Sequence, residues 1–229
     1  MRRFRAVVLD FYGTLAPGRS TAHQVSARAA QAEALGVDQG LLDAALSATV
    51  DERFRGAGGT VAGSLAWVAR RIGADPDPAT LQRAAEVRLA AERSFGEPRP
   101  DAVPVLSAVR ARGLTVGVVS DCSAELPLYF PELPIAPLVD SAVFSFVLGV
   151  RKPDPRIFTA CCTALDVPPD GCLYVGDGGS DELAGATAIG MHAVHLDVPG
   201  EDHSVVYGRH ASWDGPRIRA LPQLLELLD

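Results

Sequence analysis

Residues 5–15 read RAVVLDFYGTL, a short apolar run that ends at Asp10 and continues into a turn around Gly13. An almost fully apolar run of this length is typical of a strand that is covered on both faces, as in a parallel sheet. In such sheets, ligands bind beyond the carboxyl ends of the strands. Asp10 is therefore the first candidate for chemistry, and Gly13 allows the following turn to bring its backbone close to a ligand.

Beyond residue 97 the sequence alternates between strand-like and helix-like segments. We predict strands over 114–120, 142–146, 172–176 and 192–196, and helices over 102–111, 155–165, 182–189 and 217–228. This alternation is typical of a parallel sheet wrapped by helices. The expected fold class is α/β, with a Rossmann-like parallel sheet as its core.

Residues 18–96 have a different composition, which is rich in Ala, Leu, Arg and Glu, and their apolar residues recur about every 3.6 positions. We predict four helices here, over 21–35, 41–54, 61–72 and 78–93. The run 97–100, with two prolines, indicates a linker. The predicted organisation is a core domain of residues 1–17 and 97–229 and a helical-bundle domain of residues 18–96.

Composition excludes several classes of protein. The formal net charge of the 229-residue chain is −7, which argues against binding to a nucleic-acid polymer. The chain has no run of about 18 apolar residues, so no membrane span is predicted. The four cysteines form no CxxC pair and show no zinc-ligand spacing. We interpret them as reduced thiols, and the expected location is the cytoplasm.

Two further segments carry polar groups that suit a phosphate. Ser120 and Asp121 follow the predicted strand 114–120, where a hydroxyl and the next backbone N–H can hold a phosphoryl oxygen, although a capping serine is the commoner finding. Lys152 is the only lysine among 21 basic residues and lies in the turn 151–155. Its compact positive charge can offset clustered carboxylates and a negatively charged substrate.

The segment 176–182 reads GDGGSDE and runs from a predicted strand into a predicted helix. Asp177 and Asp181 are two carboxylates four residues apart, which suit Mg²⁺ because this ion usually takes one or two protein carboxylates. A dinucleotide fingerprint would begin in the same way, but its third glycine position holds Asp181. A carboxylate there would repel a pyrophosphate, so we favour a metal site.

Four motifs in this order resemble those of the haloacid dehalogenase superfamily, and they cover nearly the whole chain. They are Asp10-x-x-Gly13-Thr14, the apolar strand that ends at Ser120, Lys152-Pro153, and Gly176-Asp177-x-x-x-Asp181. The resemblance implies a Mg²⁺-dependent phosphatase that acts on a small phosphorylated metabolite through an aspartyl-phosphate intermediate on Asp10. It also implies that the helical insert 18–96 is a cap that closes over the site.

The resemblance further implies a role for each matching residue. The metal would be bound by Asp10, the backbone carbonyl of Tyr12, Asp177 and Asp181. The substrate would be bound by Gly13, Thr14, Ser120, Asp121 and Lys152. Catalysis would depend on Asp10 as the nucleophile, helped by Tyr12, Ser120 and Lys152.

Tyr12 departs from the phosphatase pattern. Family phosphatases usually carry a second Asp two residues after the nucleophile as general acid and base, whereas Asp-x-Tyr-Gly-Thr resembles the family's haloacid dehalogenases. General acid–base help is typically worth about 10²–10⁴-fold, so its loss slows ester cleavage without forbidding it. The acid pair of the fourth motif favours a phosphatase, because the family's dehalogenases work without a metal.

Two alternatives therefore remain open. One is a metal-independent hydrolase similar to the 2-haloacid dehalogenases, and the other is a catalytically silent binding protein on the same fold. A monomer and a homodimer are both compatible with the sequence. Five residues of the insert, or the turn 53–59, are candidates for recognising the leaving group of the substrate. Residues of these types more often form a solvated helix face or part of the core. The five residues are Arg19, His23, Arg53, Arg55 and Trp67.

Overall fold

The structure is a computed structural model that describes residues 3–201 and 212–228. The described strands are β1 (Ala6–Leu9), β2 (Thr115–Ser120), β3 (Ser141–Phe144), β4 (Cys172–Gly176), β5 (His192–Leu196) and β6 (Arg217–Ile218). They form one sheet in the order β3-β2-β1-β4-β5-β6, and each neighbouring pair is parallel. The predicted α/β fold with a parallel sheet is confirmed.

Strand β1 lies in the middle of the sheet, and all four of its residues are buried. Its register pairs Leu9 with Val118 of β2 on one side and with Val175 of β4 on the other. The carboxyl ends of three neighbouring strands therefore meet at one edge of the sheet. This edge is where a parallel sheet places its ligands.

The helices of the insert follow from strong local signals. They are α1 (Thr21–Leu35), α2 (Gln39–Ala48), α3 (Val50–Phe54), α4 (Val61–Arg71) and α5 (Pro78–Phe95). At four of the five starts a side-chain oxygen accepts a hydrogen bond from the backbone N–H three residues later, which stabilises the first turn. These capping residues are Ser20, Asp38, Thr60 and Asp77.

Four of the insert helices, α1, α2, α4 and α5, share a hydrophobic cluster that is separate from those on the sheet. Buried side chains such as Leu35, Leu42, Leu65 and Val68 pack together in it. The predicted helices over 21–35, 61–72 and 78–93 are confirmed to within one or two residues at their ends. The division into a core domain and a cap domain stays a prediction.

The single helix predicted over 41–54 is wrong, because the chain breaks at Thr49 into α2 and α3. The Oγ1 atom of Thr49 donates a 2.6 Å hydrogen bond to the carbonyl oxygen of Ala45, four residues earlier. Threonine side chains that bond in this way compete with the helical backbone and often bend it. The backbone of Thr49 accordingly leaves the helical region, with φ of −113°.

Helices cover both faces of the sheet. The remaining described helices are α6 (Ala102–Ala111), α7 (Glu125–Tyr129), α8 (Ser145–Leu148), α9 (Pro155–Leu165) and α10 (Glu182–Ala188). One hydrophobic cluster joins Val7 and Leu9 of β1 to α6, and a second joins Ala6 and Val8 to α9 and α10. In the described part of the chain, no helix is both long and apolar enough to span a bilayer.

The helix predicted over 217–228 is also wrong. Residues Arg217–Ile218 form the edge strand β6, and a 3₁₀ helix follows at Leu221–Leu227. Pro222 explains the difference, because in an α-helix begun at residue 217 its ring would clash with the carbonyl of Ile218, four residues earlier. The strand predicted over 142–146 similarly ends at Phe144, where α8 begins.

Candidate active site

The strand ends bring separated segments of the sequence together. Asp10 follows β1 directly, Ser120 is the last residue of β2, and Asp177 follows β4 directly. Because these three strands are neighbours in the sheet, their ends lie at one site. The loop before α9 adds Lys152, which contacts Asp10.

Three buried carboxylates form the centre of this site. Carboxylate oxygens of Asp10, Asp177 and Glu182 lie within 4.8 Å of one another. The Nζ atom of Lys152 donates a 2.6 Å hydrogen bond to Oδ1 of Asp10 and a second hydrogen bond to Oε2 of Glu182. One ammonium group therefore links the candidate nucleophile to Glu182.

The cluster holds more negative than positive charge. Burial raises the pKa of Asp10 well above its ordinary value; the charge of Lys152 opposes this rise, and the charges of Glu182 and Asp177 add to it. Burial also raises the pKa of Glu182 against the opposing charge of Lys152. Three ionised carboxylates and one ammonium would leave two negative charges uncompensated within the group, so it favours a cation or bound protons.

This donor set fits a hard divalent cation. Mg²⁺ prefers carboxylate oxygens, and its two positive charges would neutralise the group of Asp10, Asp177, Glu182 and Lys152. Gly13 shapes the same place, because a Cβ atom there would lie 2.5 Å from Oδ2 of Asp177, and the φ of Gly13 is +81°. The three carboxylates are therefore the residues that could hold a metal.

Glu182, which the motif analysis did not single out, is held firmly in this cluster. Its Oε2 atom accepts a 2.7 Å hydrogen bond from the hydroxyl of Tyr174, and its Oε1 atom accepts a 3.0 Å hydrogen bond from the backbone N–H of Gly178. Gly176 makes room for it, because a Cβ atom there would overlap the Glu182 carboxylate. The sequence signal that could have identified Glu182 was its place at the start of a predicted helix, five residues after Asp177.

Asp181, the predicted second metal-site carboxylate, does not belong to the cluster formed by the described residues. Ser180 and Asp181 both adopt left-handed backbone conformations, with φ of 54° and 49°. The chain therefore does not run directly from β4 into α10, as a metal site built from Asp177 and Asp181 would require. Helix α10 begins one residue after Asp181, at Glu182. The direct or water-mediated metal role of Asp181 stays a prediction.

Two buried hydroxyl groups lack a hydrogen-bond partner within the described structure. They are Oγ of Ser120 and Oγ1 of Thr14. A buried polar group without a partner is unfavourable by about 1–3 kcal/mol, so each such group requires an explanation. Both residues are substrate-binding candidates from the sequence, and an oxygen of a bound ligand would provide the missing partner.

Asp121 fixes the loop that carries the lysine. Its Oδ1 atom accepts a 2.9 Å hydrogen bond from the backbone N–H of Lys152, and its Oδ2 atom accepts a 3.1 Å hydrogen bond from Nε of Arg151. Arg151 also donates a 3.0 Å hydrogen bond to Oγ of Ser180. The second, third and fourth motifs are thus tied together, which gives Asp121 a positioning role besides its predicted substrate contact.

Tyr12 connects the first motif with the helical insert. Its hydroxyl oxygen lies 2.8 Å from that of Tyr129 and 3.5 Å from Oε2 of Glu92 in α5. The guanidinium group of Arg19 lies 4.3 Å from the centre of the Tyr12 ring. Burial raises the pKa of Tyr12 well above 10.0, with Arg19 opposing and Glu92 and Tyr129 adding to the rise. The hydroxyl is therefore protonated at neutral pH.

A cavity of ≈130 Å³ lies between the strand ends and the insert helices. Asp10, Lys152 and Asp177 line its core side. Of the five insert residues that the sequence suggests for reading the leaving group, Arg19 and Arg53 line this cavity, whereas the other three do not. The lining of the insert side also includes Gln31 and Arg88, which the sequence analysis did not identify.

Comparisons with known proteins identify the family of this chain. The model of the haloacid dehalogenase-like hydrolase family matches residues 4–188. A glyceraldehyde 3-phosphate phosphatase of Methanopyrus kandleri is 30% identical over 195 residues, which are 84% of this chain and 83% of that protein. An (S)-2-haloacid dehalogenase of a Pseudomonas species is 30% identical over 131 residues, or 55% of each protein.

Solved structures extend the likeness to the three-dimensional fold. A 2-haloacid dehalogenase from Pseudomonas syringae pv. Tomato DC3000 has a TM-score of 0.73 and 26% identity to this chain, with 98% of both chains covered. A phosphatase of the same fold from Thermococcus onnurineus has a TM-score of 0.63 at 20% identity, again over 98% of both chains. Because the family match and the phosphatase relative both span most of the sequence, this chain belongs to the haloacid dehalogenase-like hydrolase family.

Proposed function

We propose that this hydrolase is a Mg²⁺-dependent phosphatase that cleaves a small phosphorylated metabolite. The cluster of Asp10, Asp177 and Glu182 around Lys152 carries the proposal. In a metal-free reaction, the carboxylates of Asp177 and Glu182 would repel the negative charge of the nucleophile Asp10. A divalent cation bound among the three carboxylates would compensate this repulsion. The phosphatase named among the relatives supports the same reaction class.

In the proposed reaction, a carboxylate oxygen of Asp10 attacks the phosphorus atom of the substrate. A bond forms between this oxygen and phosphorus, and the bond from phosphorus to the ester oxygen breaks, which gives an aspartyl-phosphate and an alcohol. Water then cleaves the aspartyl-phosphate, which releases inorganic phosphate and restores Asp10. A metal bound by Asp10, Asp177 and Glu182 would supply positive charge that stabilises the negatively charged oxygens of the reacting group.

The neighbouring side chains of the chain hold the reacting group in place. Lys152 keeps Asp10 in position through the 2.6 Å hydrogen bond and offers its charge to a phosphoryl oxygen. The buried hydroxyls of Ser120 and Thr14 have no partner in the described structure, and we expect them to bind further phosphoryl oxygens. Positioning of this kind is a large part of catalysis in phosphoryl transfer.

The leaving alcohol needs a proton, and Tyr12 is the proposed source. It lies two residues after the nucleophile, and its hydroxyl keeps its proton at neutral pH because burial raises the pKa of Tyr12. A phenol held in this way gives up a proton less readily than a carboxylic acid. We therefore expect a slower enzyme on poor leaving groups than one with Asp at this position.

Two further observations support a small substrate and a cytoplasmic location. The cavity of ≈130 Å³ suits a small substrate. All four cysteines are free and buried, which supports the proposed cytoplasmic location because such thiols persist in reducing compartments. The oligomeric state, monomer or homodimer, stays a prediction.

A second candidate is a metal-independent hydrolase of carbon–halogen bonds. The tyrosine of the Asp10-Phe11-Tyr12-Gly13-Thr14 motif favours it, and so does the likeness to the 2-haloacid dehalogenase structure that is 26% identical to this chain. In that reaction Asp10 would displace halide from the carbon atom of a haloacid to form an ester, and water would then cleave the ester. Its activity would persist in chelator.

The deciding experiment measures phosphate release from a panel of phosphate monoesters, with Mg²⁺ and with chelator. The wild type is compared with Asp10→Asn and with Asp75→Asn, a control on an exposed loop. Release that needs both Mg²⁺ and Asp10 supports the phosphatase. Halide release from 2-chloropropionate in chelator, without phosphate release, would establish the second candidate. Thermal stabilisation by phosphate esters without any turnover would indicate a binding protein.

A further inference from the structure

The side chain of Gln31 in α1 lines the cavity and is only 3% exposed. Its Nε2 atom has no hydrogen-bond partner among the described residues. Of the described residues that line the cavity, Gln31 is the one with a buried side-chain nitrogen or oxygen in this state. A buried amide N–H without a partner is destabilising, and each such group requires an explanation, such as a ligand or a water.

Apolar side chains form much of the insert side of the cavity. Ala27 lies one turn before Gln31 on α1 and therefore shares its helix face. The other apolar residues of this side are Leu46, Phe54, Ala91 and Phe95. A buried water needs about two to four polar partners, whereas a mostly apolar ligand can fill such a surface and present one oxygen to the amide. The lining therefore favours a ligand over a single water.

The arginines that line this side of the cavity are engaged with other groups of the protein. Three of them pair with carboxylates, Arg19 with Glu92, Arg28 with Asp43 and Arg88 with Glu125. The fourth, Arg53, donates hydrogen bonds to the backbone carbonyl of Leu46 and to Oγ1 of Thr49. The Gln31 amide is therefore a neutral donor without a partner, beside guanidinium groups that are already bound to the protein.

We propose that the Gln31 amide donates a hydrogen bond to a neutral oxygen, a hydroxyl or a carbonyl, on the leaving group of the substrate. Asp10 and Lys152 line the same cavity at the strand ends, so a phosphoryl group at Asp10 leaves the insert side for the leaving group. An amide N–H needs an acceptor oxygen, and because the amide is neutral it does not compensate a charge on that oxygen. The substrate class is then a small phosphate monoester with a hydroxyl or carbonyl oxygen beyond the ester bond. This inference rests on the proposed phosphatase activity and adds the chemistry of the leaving group.

The test uses three-carbon esters that differ in these oxygens. The reference is n-propyl phosphate, which has none; glycerol 3-phosphate adds hydroxyls, and 2-oxopropyl phosphate adds a carbonyl. At saturating Mg²⁺, the measured quantity is the ratio of kcat/KM for each oxygen-bearing ester to that for n-propyl phosphate. We expect a ratio of at least about tenfold in the wild type for one of the two, because an ester without the oxygen leaves the buried donor unpaired.

Gln31→Met removes the donor and keeps a side chain of similar length. We expect it to lower that ratio about tenfold, and the ester whose ratio falls identifies the oxygen as a hydroxyl or a carbonyl. Gln82→Met is the matched control, because Gln82 lies exposed on α5 and bonds to Glu86, and it should leave both ratios unchanged. Thermal melting is a second readout, because removing an unpaired buried amide should raise the Tm of Gln31→Met by about 2–4 °C.

The outcomes separate the role of Gln31 from the phosphatase reaction. If p-nitrophenyl phosphate and n-propyl phosphate are hydrolysed but both wild-type ratios are near one, the Gln31 site is overturned and the phosphatase stands. An equal loss of kcat/KM on every ester in Gln31→Met, with a lower Tm, would overturn it too, because Gln31 would then have a structural role only. A preference of at least about tenfold for 3-phosphoglycerate over glycerol 3-phosphate would overturn the neutral oxygen. If no phosphate monoester is hydrolysed at all, the phosphatase reaction fails, and the substrate class fails with it.

Discussion

The Nζ atom of Lys152 donates a 2.6 Å hydrogen bond to Oδ1 of Asp10, which lies 142 positions earlier in the sequence. The same ammonium bonds to Glu182, so one positive charge serves two of the three clustered carboxylates. Burial alone would lower the pKa of Lys152, but the charges of Asp10, Glu182 and Asp121 raise it above 10.5. The lysine therefore stays charged at neutral pH and holds the nucleophile in place.

Replacing Lys152 with Met should abolish phosphate release and destabilise the metal-free protein at pH 8 by about 3–5 kcal/mol, the typical effect of removing one partner of a buried ion pair. Asp10 and Glu182 would then bind protons more readily in the folded than in the unfolded state. The destabilisation should therefore shrink as the pH falls towards 5. Urea unfolding in chelator at both pH values measures this change.

Lys152→Arg is the control for this prediction, because it keeps the charge but replaces a compact ammonium with a planar fork. It should retain more of the free energy of unfolding than the Met variant, and still lose most of the activity. A loss of stability in Lys152→Met that is the same at pH 8 and pH 5 would contradict the electrostatic account.

Glu182→Gln should weaken the apparent affinity for Mg²⁺ by at least about 10–100-fold, because even the loss of a residue that only supports a metal ligand has an effect of this size. Asp181→Asn should change it little, because Asp181 lies outside the carboxylate cluster of the described residues. Activity titrations with Mg²⁺ and calorimetry of metal binding measure both variants. If Asp181→Asn weakens the affinity for Mg²⁺ more than Glu182→Gln does, Asp181 is the metal-site carboxylate, as the sequence indicates.

The comparison of Asp181 with Glu182 shows what the sequence could predict at this site. Asp10 and Asp177 were identified because residues that follow buried parallel strands must meet at one edge of the sheet. The third carboxylate depends on the exact turn after β4, where Ser180 and Asp181 take left-handed conformations. Non-glycine residues rarely adopt these conformations, so sequence patterns do not reveal them.

The insert side of the cavity was harder to predict for a different reason. Gln31 and Arg53 lie on separate helices, α1 and α3, and meet the cavity only because the insert helices pack in a particular way. Helical periodicity identifies which face of a helix is apolar but does not fix the packing between helices. Sequence analysis therefore identified Arg53 among five candidates and did not find Gln31.

Gly13→Ala should lower kcat at least tenfold, because the added Cβ atom would lie 2.5 Å from Oδ2 of Asp177. The positive φ of Gly13 would also strain the variant backbone by about 1–3 kcal/mol. Gly36→Ala is a matched control, since Gly36 also has a positive φ, and a Cβ atom there would meet nothing within 4 Å. Steady-state kinetics and thermal melting of both variants separate the clash from the strain. Equal activity in the two variants would contradict a role for Gly13 in shaping the site.

Tyr12→Asp should raise kcat on phosphate esters with poor leaving groups by about 10²-fold, because a carboxylic acid supplies general acid–base help that a buried phenol does not. Tyr12→Phe should lower the rate, since it removes the hydroxyl that lies 2.8 Å from Tyr129 and keeps the ring. Rate measurements over pH 5–9 compare the three proteins. Because the pKa of Tyr12 lies well above 10.0, the wild-type profile should show no limb from its ionisation in this range. A Tyr12→Asp variant that is slower than the wild type on every ester would argue against a missing general acid.

Glu125→Gln should destabilise the protein at pH 7 by about 3 kcal/mol, because it leaves the buried guanidinium group of Arg88 without its carboxylate. Burial alone would raise the pKa of Glu125, but the charge of Arg88 and hydrogen bonds from Ser123 and Arg88 hold it below 4.5. A carboxyl group with a lowered pKa stabilises the folded state fully above its unfolded pKa, and this contribution is lost as the pH falls through the folded pKa. The difference in unfolding free energy between wild type and variant should therefore be constant above about pH 5.5 and shrink below pH 4.5.

Glu132→Gln, which removes the exposed partner of Arg93 of α5, should change stability little at any pH because solvent screens that pair. Urea unfolding from pH 3 to pH 7 measures all three proteins, and a Glu125→Gln effect that grows on acidification would show that this ion pair does not join α5 to α7 in the way its geometry indicates.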